Sequence, residues 1–449
     1  MSQSSEDRPL TVDDLVSYFR DAETPPEDWR IGTEHEKIGI YSDGRGRVPH
    51  EGEAGIGAVL GRIAELDAWQ PVREGSNLIA LYKDGATITL EPGGQLELSG
   101  APLRGIHETC SEFDAHVDLV KRASEDLGIA WLALGSDPFH DVGAIPTMPK
   151  ERYAIMRSYL PTRGHLALHM MHGTATVQAN LDYRDEPDMV AKLRMAMGCS
   201  PIVSAIFANS CLAGGKPSGF ASRRLEIWQH TDPDRCGILH FVFEPAFGYR
   251  EYAEWALDVP MFFVVRDHAY LPAKGLTFRQ FMARGFAEER ATLDDWDLHL
   301  TTLFPEVRLK RFIEMRGADA VPGPLLCALP ALWKGLLYDA GALEAAWELV
   351  RGWGREEREE ALGEVARRGL AARTGGKPVL DLARELAQIS SEGLRRIAER
   401  GESDRDERSF LGPLHEQVEL GRSPAEILLE RWEGPWQRRP ERLIEYARY

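Results

Sequence analysis

The sequence of 449 residues lacks several features that define whole classes of protein. Basic side chains are few, with 53 Lys+Arg against 71 Asp+Glu, giving a formal net charge of −18. Because binding to a phosphate backbone needs a basic face, we predict no nucleic-acid partner. No run of about 18 apolar residues stands out as a membrane span, so we also predict no membrane partner.

Cysteine is scarce and recognisable leader features are missing. The five cysteines form no CxxC pair, which argues against a disulfide scaffold and a zinc ribbon. The first ten residues contain acids and no apolar segment, unlike a secretory or organellar leader, so we expect a cytoplasmic protein. The GxSxG signature of serine hydrolases is absent, and GGKPSG at 214–219 does not have P-loop spacing.

The composition that remains is typical of a folded protein, with 43% hydrophobic and 28% charged residues. We predict one α+β unit in which residues 1–30 are a helical lead-in, 31–340 a catalytic core and 341–449 a helical layer packed on that core, with a polar loop at 401–409. Hydrophobic periodicity predicts helices at 11–22, 106–127 and 187–207. It predicts strands at 31–41, within 82–99 (two), and at 129–134, 166–171, 174–181, 238–243, 261–265 and 309–315.

The pattern with the clearest chemical meaning is acidic. Glu34 and Glu36 alternate along one predicted strand, so their side chains project from the same face. Glu91, Glu97 and Glu314 lie in or beside other predicted strands. Carboxylates crowded on one face repel each other unless a hard cation such as Mg²⁺ lies between them. For any single glutamate a solvated sheet face is the simpler interpretation, but the joint pattern favours a metal site.

Arginines and amides supply complementary groups. Arg316 follows Glu314 by two residues, and Arg224 follows a glycine-rich segment. Guanidinium groups suit carboxylate or phosphate oxygens, although a surface salt bridge is the common alternative. Gln178 and Asn180 share one face of a predicted strand, where each could contact a ligand or serve as a structural amide.

A histidine-rich run offers a weaker metal hypothesis. His165, His169 and His172 have metal-like spacing if the run is helical. The flanking glycines and the following TATVQANL favour a strand, which would place His172 on the opposite face from the other two. The segment Gly55-x-Gly57-x-x-x-Gly61 does not match the dinucleotide fingerprint either, because its third glycine comes one position late.

Longer strings resemble a known family, the plant-type glutamate-cysteine ligases of plants and many bacteria. The resemblance runs in family order from about residue 30 to 340. The strings that carry it include GTEHEKIGIY from Gly32, LEPGGQLELSGAP from Leu90, MPKERYAIMRSYLP from Met148, TVQANLDY from Thr176, GKPSGF from Gly215, IWQHTDPDRCGILHFVFE from Ile227 and FPEVRLKRFIEMRGAD from Phe304.

This resemblance implies a fold and a reaction. The implied fold is a glutamine-synthetase-like, curved and mainly antiparallel sheet with flanking helices and a helical C-terminal layer. The implied reaction joins the γ-carboxylate of L-glutamate to L-cysteine through a γ-glutamyl phosphate, with ATP as co-substrate and Mg²⁺ or Mn²⁺ as metal. It is the first step of glutathione biosynthesis, and the expected enzyme is a monomer or homodimer.

The resemblance also implies roles for individual residues. Glu34, Glu36, Glu97 and Glu314 are the leading metal-facing residues, and Glu91 is a further one. Gln178, Asn180 and Lys216 are expected at the nucleotide. Arg224 and Trp228 would hold the substrate glutamate, and Arg316 would face the transferring phosphoryl group.

Departures from the family pattern leave alternatives open. The usual NSPF reads Asn209-Ser210-Cys211-Leu212, and His169 replaces an acidic residue before two methionines. These changes motivate a related ligase that couples glutamate to another amine, and a catalytically silent relative is a further alternative. Cys110 and Cys327 match positions that form a disulfide in plant members, so a redox pair is one hypothesis and two buried thiols the other.

Overall fold

The computed structural model describes residues 8–44, 46–398, 400–401 and 405–449. The strands are β1 (Ile31–Tyr41), β2 (Gln70–Glu74), β3 (Asn77–Lys83), β4 (Ala86–Leu90), β5 (Leu96–Ser99), β6 (Ile129–Leu132), β7 (Val177–Leu181), β8 (Leu212–Ala213), β9 (Lys216–Pro217), β10 (Cys236–Gly237), β11 (Phe263–Arg266), β12 (Ala269–Pro272), β13 (Phe304–Pro305), β14 (Val307–Leu309), β15 (Ile313–Met315), β16 (Arg373–Thr374) and β17 (Lys377–Pro378).

The helices of the first two thirds of the chain surround these strands. They are α1 (Val12–Arg20), α2 (Ile56–Asp67), α3 (Ile106–Ser124), α4 (Glu151–Tyr159), α5 (Ala167–Gly173), α6 (Glu186–Ile206), α7 (Arg223–Gln229), α8 (Tyr249–Asp258), α9 (Phe278–Arg284) and α10 (Leu293–Thr301). The remainder are α11 (Gly323–Leu326), α12 (Ala328–Leu337), α13 (Ala340–Val350), α14 (Arg355–Arg368), α15 (Val379–Ile397), α16 (Gly412–Leu420), α17 (Pro424–Glu433) and α18 (Pro440–Ala447).

A nine-stranded sheet organises the protein. Its strand order is β14-β15-β7-β1-β5-β4-β3-β2, and β6 pairs with the second half of β1. Every pairing in this sheet is antiparallel. The predicted α+β class with a large, mainly antiparallel sheet is therefore confirmed.

The two faces of the sheet have different environments because side chains alternate along each strand. Leu81, Ile88 and Leu98 are buried on the back face, which α2 and α3 cover. The opposite side, which we call the cavity face, carries Glu34 and Glu36. The period-2 pattern of β1 and β4 therefore decides which residues meet ligands and which join the core.

The helical layer after residue 340 packs on the same body. Helix α15 lies along α12 and α13, and α12 contacts β7 of the sheet. The chain then returns to the sheet, where the backbone N–H of Tyr449 donates to the carbonyl of Trp131 on β6 (3.0 Å). Residues 402–404 of the predicted polar loop and residues 1–7 of the predicted lead-in lie outside the described residues.

Two predicted strands are wrong and one is incomplete. The run predicted as a strand at 166–171 is helix α5, and 238–243 contains a 3₁₀ turn, His240–Phe243. Short apolar runs do not distinguish strand from buried helix, and tertiary packing against α7 decides the first case. The predicted strand at 309–315 is a hairpin, with β14 and β15 joined by a tight turn.

Helix α6 runs through the centre of the protein. By length and composition it is apolar enough to cross a membrane, a signal that we did not predict from the sequence. The most apolar window of the helix is 83% buried inside the protein, which is the behaviour of a core helix. Pro201 lies within it, and the helix continues to Ile206.

Candidate active site

A cavity of about 310 Å³ opens over the centre of the cavity face. The sheet supplies its floor, and helices α4, α5 and α7 with the 301–308 segment supply its walls. Its lining includes Glu34, Glu36, Thr89, Glu91, Gln95, Glu97, Ser99, Arg152, Tyr153, Met156, Met170, Met171, Thr176, Gln178, Arg224, Trp228, Phe263, Phe304, Arg308 and Arg316. Carboxylates, arginines and apolar side chains therefore meet in one enclosed space.

Strand register brings four of the five predicted carboxylates together. Glu36 lies directly opposite Glu97, and Glu34 lies opposite Ser99 on the same pair of strands. Glu91 follows β4 and borders the same cavity. A sequence separation of about 60 residues between Glu36 and Glu97 thus becomes one cross-strand neighbour pair, which only the antiparallel pairing of β1 and β5 produces.

The electrostatics of this carboxylate cluster show mutual repulsion. Burial, together with the negative charges of Glu314 and Glu97, raises the pKa of Glu34 to about 7. Burial and Glu91 likewise raise the pKa of Glu97 to about 7. For Glu36, burial and the charge of Glu91 raise the pKa well above its usual range. Positive charge brought between these groups would relieve their repulsion.

The carboxylate cluster suits a cation for which the protein supplies only some of the ligands. Within the described part of the chain, no three acidic, histidine or cysteine side chains form a ready-made metal cage. Mg²⁺ commonly takes one or two carboxylates and completes its shell with waters and substrate phosphates. A pair such as Glu36 and Glu97 suits that mode of binding.

Glu314 has a different environment from the other predicted carboxylates. It is fully buried outside the cavity lining and accepts hydrogen bonds from two nitrogens of Arg308, from Nη2 to Oε1 (2.7 Å) and from Nε to Oε2 (3.0 Å). Burial acts to raise the pKa of Glu314, but Arg308, Lys310 and Arg316 outweigh burial and lower it. In this structure Glu314 neutralises arginines, and its predicted role as a metal ligand stays a prediction.

Arg316 reaches the cavity from the end of β15. Its Nη1 donates to Oε1 of Gln178 (3.0 Å) and also contacts the carboxylate of Glu314. Gln178 on β7 lies directly opposite Glu34 on β1. Arg316 and Gln178, which we predicted separately as site residues, are thus joined by a hydrogen bond beside the carboxylate cluster.

Arg224 enters the cavity from the first turn of α7. Its guanidinium donates to the carbonyls of Arg316 (2.9 Å) and Gly317 (3.2 Å), and its Nε has no partner. A guanidinium has five N–H groups, so donors remain for a ligand. The ring of Trp228, one turn further along α7, lies 5.7 Å from the guanidinium of Arg224.

A buried aspartate holds this arginine-bearing helix in place. Asp319 accepts hydrogen bonds from Ser222 Oγ (2.8 Å) and Ser210 Oγ (2.6 Å), and from the backbone N–H of Asn209 (2.8 Å). Ser222 caps the N-terminus of α7, and Ser210 Oγ accepts from the backbone N–H of Arg224 (3.0 Å). Asp319 therefore fixes both segments that position Arg224. We assigned Asp319 no role from the sequence, although it lies in the string IEMRGAD together with Glu314 and Arg316.

Two predicted nucleotide residues do not line the cavity. Lys216 is exposed on the small β8–β9 hairpin. Asn180 lies on β7 behind the lining, where its Nδ2 donates to Oε1 of Glu34 (3.4 Å). Asn180 shares the cavity face with Gln178, as the sequence spacing predicted. The cavity lining ends at Gln178 and Glu34, however, and does not reach Asn180.

Helix α4 contributes residues to which we assigned no role from the sequence. Arg152 and Tyr153 line the cavity, and Lys150 donates to the carbonyl of Leu90 (2.9 Å). Tyr153 OH donates to the same carbonyl. These contacts brace the end of β4, directly before Glu91. The string MPKERYAIMRSYLP was their signal, since it carries two basic residues beside a tyrosine.

Comparisons with known proteins agree with this geometry. The model of the family described as glutamate-cysteine ligase family 2 matches residues 30–445. The chloroplastic glutamate-cysteine ligase B of Oryza sativa subsp. japonica is 44% identical over 98% of this chain and 88% of its own. The chloroplastic enzyme of Arabidopsis thaliana is 43% identical, with 98% and 83% covered. The chain belongs to glutamate-cysteine ligase family 2.

A solved structure supports the fold of this family member. The glutamate-cysteine ligase of Francisella tularensis, determined in complex with AMP, superimposes with a TM-score of 0.57 and 12% identity. The comparison covers 93% of this chain and 87% of that protein. The family match also extends the resemblance through the C-terminal helical layer, where we recognised no specific strings.

The two departures from the family pattern do not line the cavity. Cys211 is buried in a separate cluster with Ala208 and Trp432, where burial raises its thiol pKa to about 12. His169 borders a smaller neighbouring hollow with His140, on the other side of α5. Neither side chain therefore lines the cavity that holds the carboxylate cluster.

The histidine run forms no metal site among the described residues. The ring of His165 lies 4.9 Å from that of His230, and His172 contacts Arg157 through its Nε2 (2.7 Å). His165 precedes α5, whereas His169 and His172 lie on it, and His169 borders a hollow that it shares with His140. The zinc hypothesis for this run is therefore not supported.

The predicted cysteine pair is joined. Cys110 on α3 and Cys327, between α11 and α12, form a disulfide with a Cα–Cα distance of 5.7 Å across 217 residues of sequence. The bridge ties the helix behind β1 to the start of the C-terminal layer. Whether this bridge responds to redox conditions stays a prediction.

Proposed function

We propose that this chain is an ATP- and Mg²⁺-dependent ligase that joins the γ-carboxylate of L-glutamate to the amino group of L-cysteine. The observation that carries the proposal is the single cavity that four glutamates of the sheet line together with Arg224 and Arg316. This arrangement suits a reaction in which phosphoryl and carboxylate oxygens must be held together.

The chemistry requires activation of a carboxylate. A free carboxylate is a poor acylating agent, so the γ-carboxylate takes the γ-phosphoryl group of ATP, which gives an acyl phosphate and releases ADP. The amine of cysteine then attacks the acyl carbon, and the amide forms with release of phosphate and a proton. No protein nucleophile is needed, which agrees with the missing GxSxG signature.

Two arginines supply positive charge in the cavity. Arg224, with donors left over from its two carbonyl contacts, binds the substrate glutamate against Trp228. Arg316 lies beside Gln178 and faces the oxygens of the transferring phosphoryl group. Spread negative charge in that group is stabilised best by fixed donors that need no rearrangement during the reaction.

The carboxylate cluster would hold the metal. Glu36 and Glu97, with Glu34 and Glu91 beside them, are the residues that fit Mg²⁺ or Mn²⁺. Bound there, the ion would neutralise phosphate charge and align the reacting oxygens.

Apolar side chains limit the access of water. Met156, Met170 and Met171 line the wall opposite the sheet, together with Phe263 and Phe304. An acyl phosphate hydrolyses if water reaches it, so a partly dry wall protects the intermediate.

The acceptor is tested by measuring ADP release with ATP and glutamate plus a panel of amino acids and amines. We expect cysteine to give the highest kcat/KM. If cysteine were no better than the rest of the panel, the acceptor assignment would be wrong. The alternative of another amine loses its motive, because neither Cys211 nor His169 lines the cavity. A cytoplasmic location and a monomeric or dimeric state are further proposals.

A further inference from the structure

The turn between β4 and β5 carries one of the metal-facing glutamates. Residues 91–95 form this turn, which two backbone hydrogen bonds close: the N–H of Glu91 donates to the carbonyl of Gln95 (2.9 Å), and the N–H of Gly94 donates to the carbonyl of Glu91 (2.9 Å). Glu91 and Gln95 line the cavity, and Glu97 follows on β5. The position of the turn therefore sets where Glu91 lies relative to the other carboxylates.

The β4–β5 turn packs directly on the C-terminal end of α5. A Cβ atom on Gly93 would lie 2.1 Å from the carbonyl oxygen of His172, so the two backbones touch at a place where only glycine fits. Beside this contact, Nε2 of Gln95 donates to the carbonyl of Thr174 (2.6 Å), directly after α5. Because α5 also carries Met171 of the cavity wall, the floor and the wall of the cavity meet here.

The side chain of Arg47 joins both sides of this contact. It is completely buried and lies outside the cavity lining. Its Nη2 donates to the carbonyl of Gly93 (2.6 Å), and its Nη1 donates over a longer distance to the carbonyl of His172 (3.4 Å). Its Nε donates to the carbonyl of Gly39 on β1 (3.1 Å). One guanidinium group therefore connects β1, the β4–β5 turn and α5.

Asp137 balances the charge of this arginine and binds the same helix end. Its Oδ2 accepts a hydrogen bond from Nη1 of Arg47 (2.9 Å). The backbone N–H of Asp137 donates to the carbonyl of Gly173 (2.7 Å), the last residue of α5. Breaking any of these contacts would leave a buried polar group without a partner, which is costly. Arg47 is thus a rigid link between the segments that it joins.

We propose that Arg47 is a positioning residue that locks the β4–β5 turn against α5 and thereby holds Glu91 in the metal-facing cluster. Arg47 lies behind the cavity lining, so it acts on the metal only through the turn and the helix end. The inference rests on the proposed function for the identity of the metal. Losing a group that orients a metal ligand typically weakens metal binding by roughly 10–100-fold.

The first test compares the parent chain with Arg47→Lys. Lysine keeps a positive charge for Asp137, but it has no planar fork with which to reach the turn and α5 together. Calorimetric titration with Mn²⁺ alone, in the absence of substrates, should show affinity roughly tenfold lower in the variant. The KM for glutamate should change little, because Asp319 and Ser210 hold Arg224 independently of Arg47.

A second variant disturbs the same contact from the side of the turn. Gly93→Ala leaves Arg47 intact but introduces a Cβ atom that collides with the carbonyl of His172. We expect the turn to move away from α5 and the affinity for Mn²⁺ to fall as in Arg47→Lys. Urea unfolding of each variant establishes that it is folded before the titration.

Arg235→Lys is the matched control for loss of a buried arginine network. Arg235 is also completely buried, and its guanidinium binds Asp232 (2.7 Å) and the carbonyls of Thr302 (3.1 Å) and Pro260 (2.7 Å). Arg235→Lys should lower the urea midpoint, as Arg47→Lys does, but it should leave the affinity for Mn²⁺ unchanged.

The outcomes separate a positioning role from a purely structural one. Unchanged Mn²⁺ affinity in folded Arg47→Lys, an equal loss in Arg235→Lys, or no Mn²⁺ binding by the parent chain would overturn the proposal. If Arg47→Lys does not fold, the titration of Gly93→Ala decides in the same way. If the parent chain releases no ADP with glutamate and cysteine, the proposed function fails, while the Mn²⁺ titrations still decide the role of Arg47.

Discussion

Replacing Glu36 by glutamine should change activity and stability in opposite directions. The substitution keeps the shape of the side chain and an oxygen that can accept from the backbone N–H of Thr176, which now donates to Glu36 Oε2 (3.1 Å). It removes one negative charge directly opposite Glu97. We therefore expect the fold to persist while the charge needed at the metal is lost.

The size of the stability effect follows from the spacing of the charges. Opposed side chains on antiparallel strands lie about 5 Å apart, and two like charges at that distance repel by about 3 kcal/mol at an effective dielectric constant of 20. Proton uptake already relieves part of this repulsion, because burial and Glu91 raise the pKa of Glu36. Without metal, the free energy of unfolding of Glu36→Gln should therefore be about 1–2 kcal/mol higher than that of the parent chain.

The assay combines urea unfolding in EDTA, the same unfolding with excess Mg²⁺, and ADP release. We expect turnover to fall about 100-fold or more, and Mg²⁺ to stabilise the variant less than the parent. Glu53→Gln, at an exposed glutamate outside the cavity lining, serves as the control for loss of charge alone. Near-normal turnover, or lower stability in EDTA, would refute the reasoning.

Three further predictions test other parts of the structure. Asp319→Asn should raise the KM for glutamate at least tenfold while changing the KM for ATP little, because Asp319 positions Arg224 and not the nucleotide; equal changes in both KM values would contradict this. Cys327→Ser should lower the free energy of unfolding by about 2–5 kcal/mol under oxidising conditions and not under reducing ones, since it opens a closed loop of 217 residues. Burial lowers the pKa of Lys192 to about 8, so between about pH 8 and 10.5 the unfolded chain binds one more proton than the folded chain. The free energy of unfolding should therefore rise there by up to about 1.4 kcal/mol per pH unit. Lys192→Met should reduce this pH dependence in denaturation curves.

Much of the candidate site could be predicted because strands alternate with a fixed period. Glu34 and Glu36 necessarily share a face once β1 is a strand, and Gln178 and Asn180 do so on β7. Apolar spacing also located some helices approximately, since the helix predicted at 11–22 is α1, Val12–Arg20. The segment at 166–171 failed because its short apolar run fits a helix and a strand equally well.

Residue chemistry and local periodicity determined which side chains could act, and long strings of sequence determined the family. The sequence by itself could not decide which of those side chains meet. Register between distant strands placed Glu36 opposite Glu97, and it placed Glu314 opposite Asn180, where Glu314 pairs with Arg308 outside the cavity lining. The β8–β9 hairpin leaves Lys216 exposed to solvent and outside the cavity lining. Such outcomes depend on contacts between residues far apart in sequence, whose free energies only the complete packing of the chain sets.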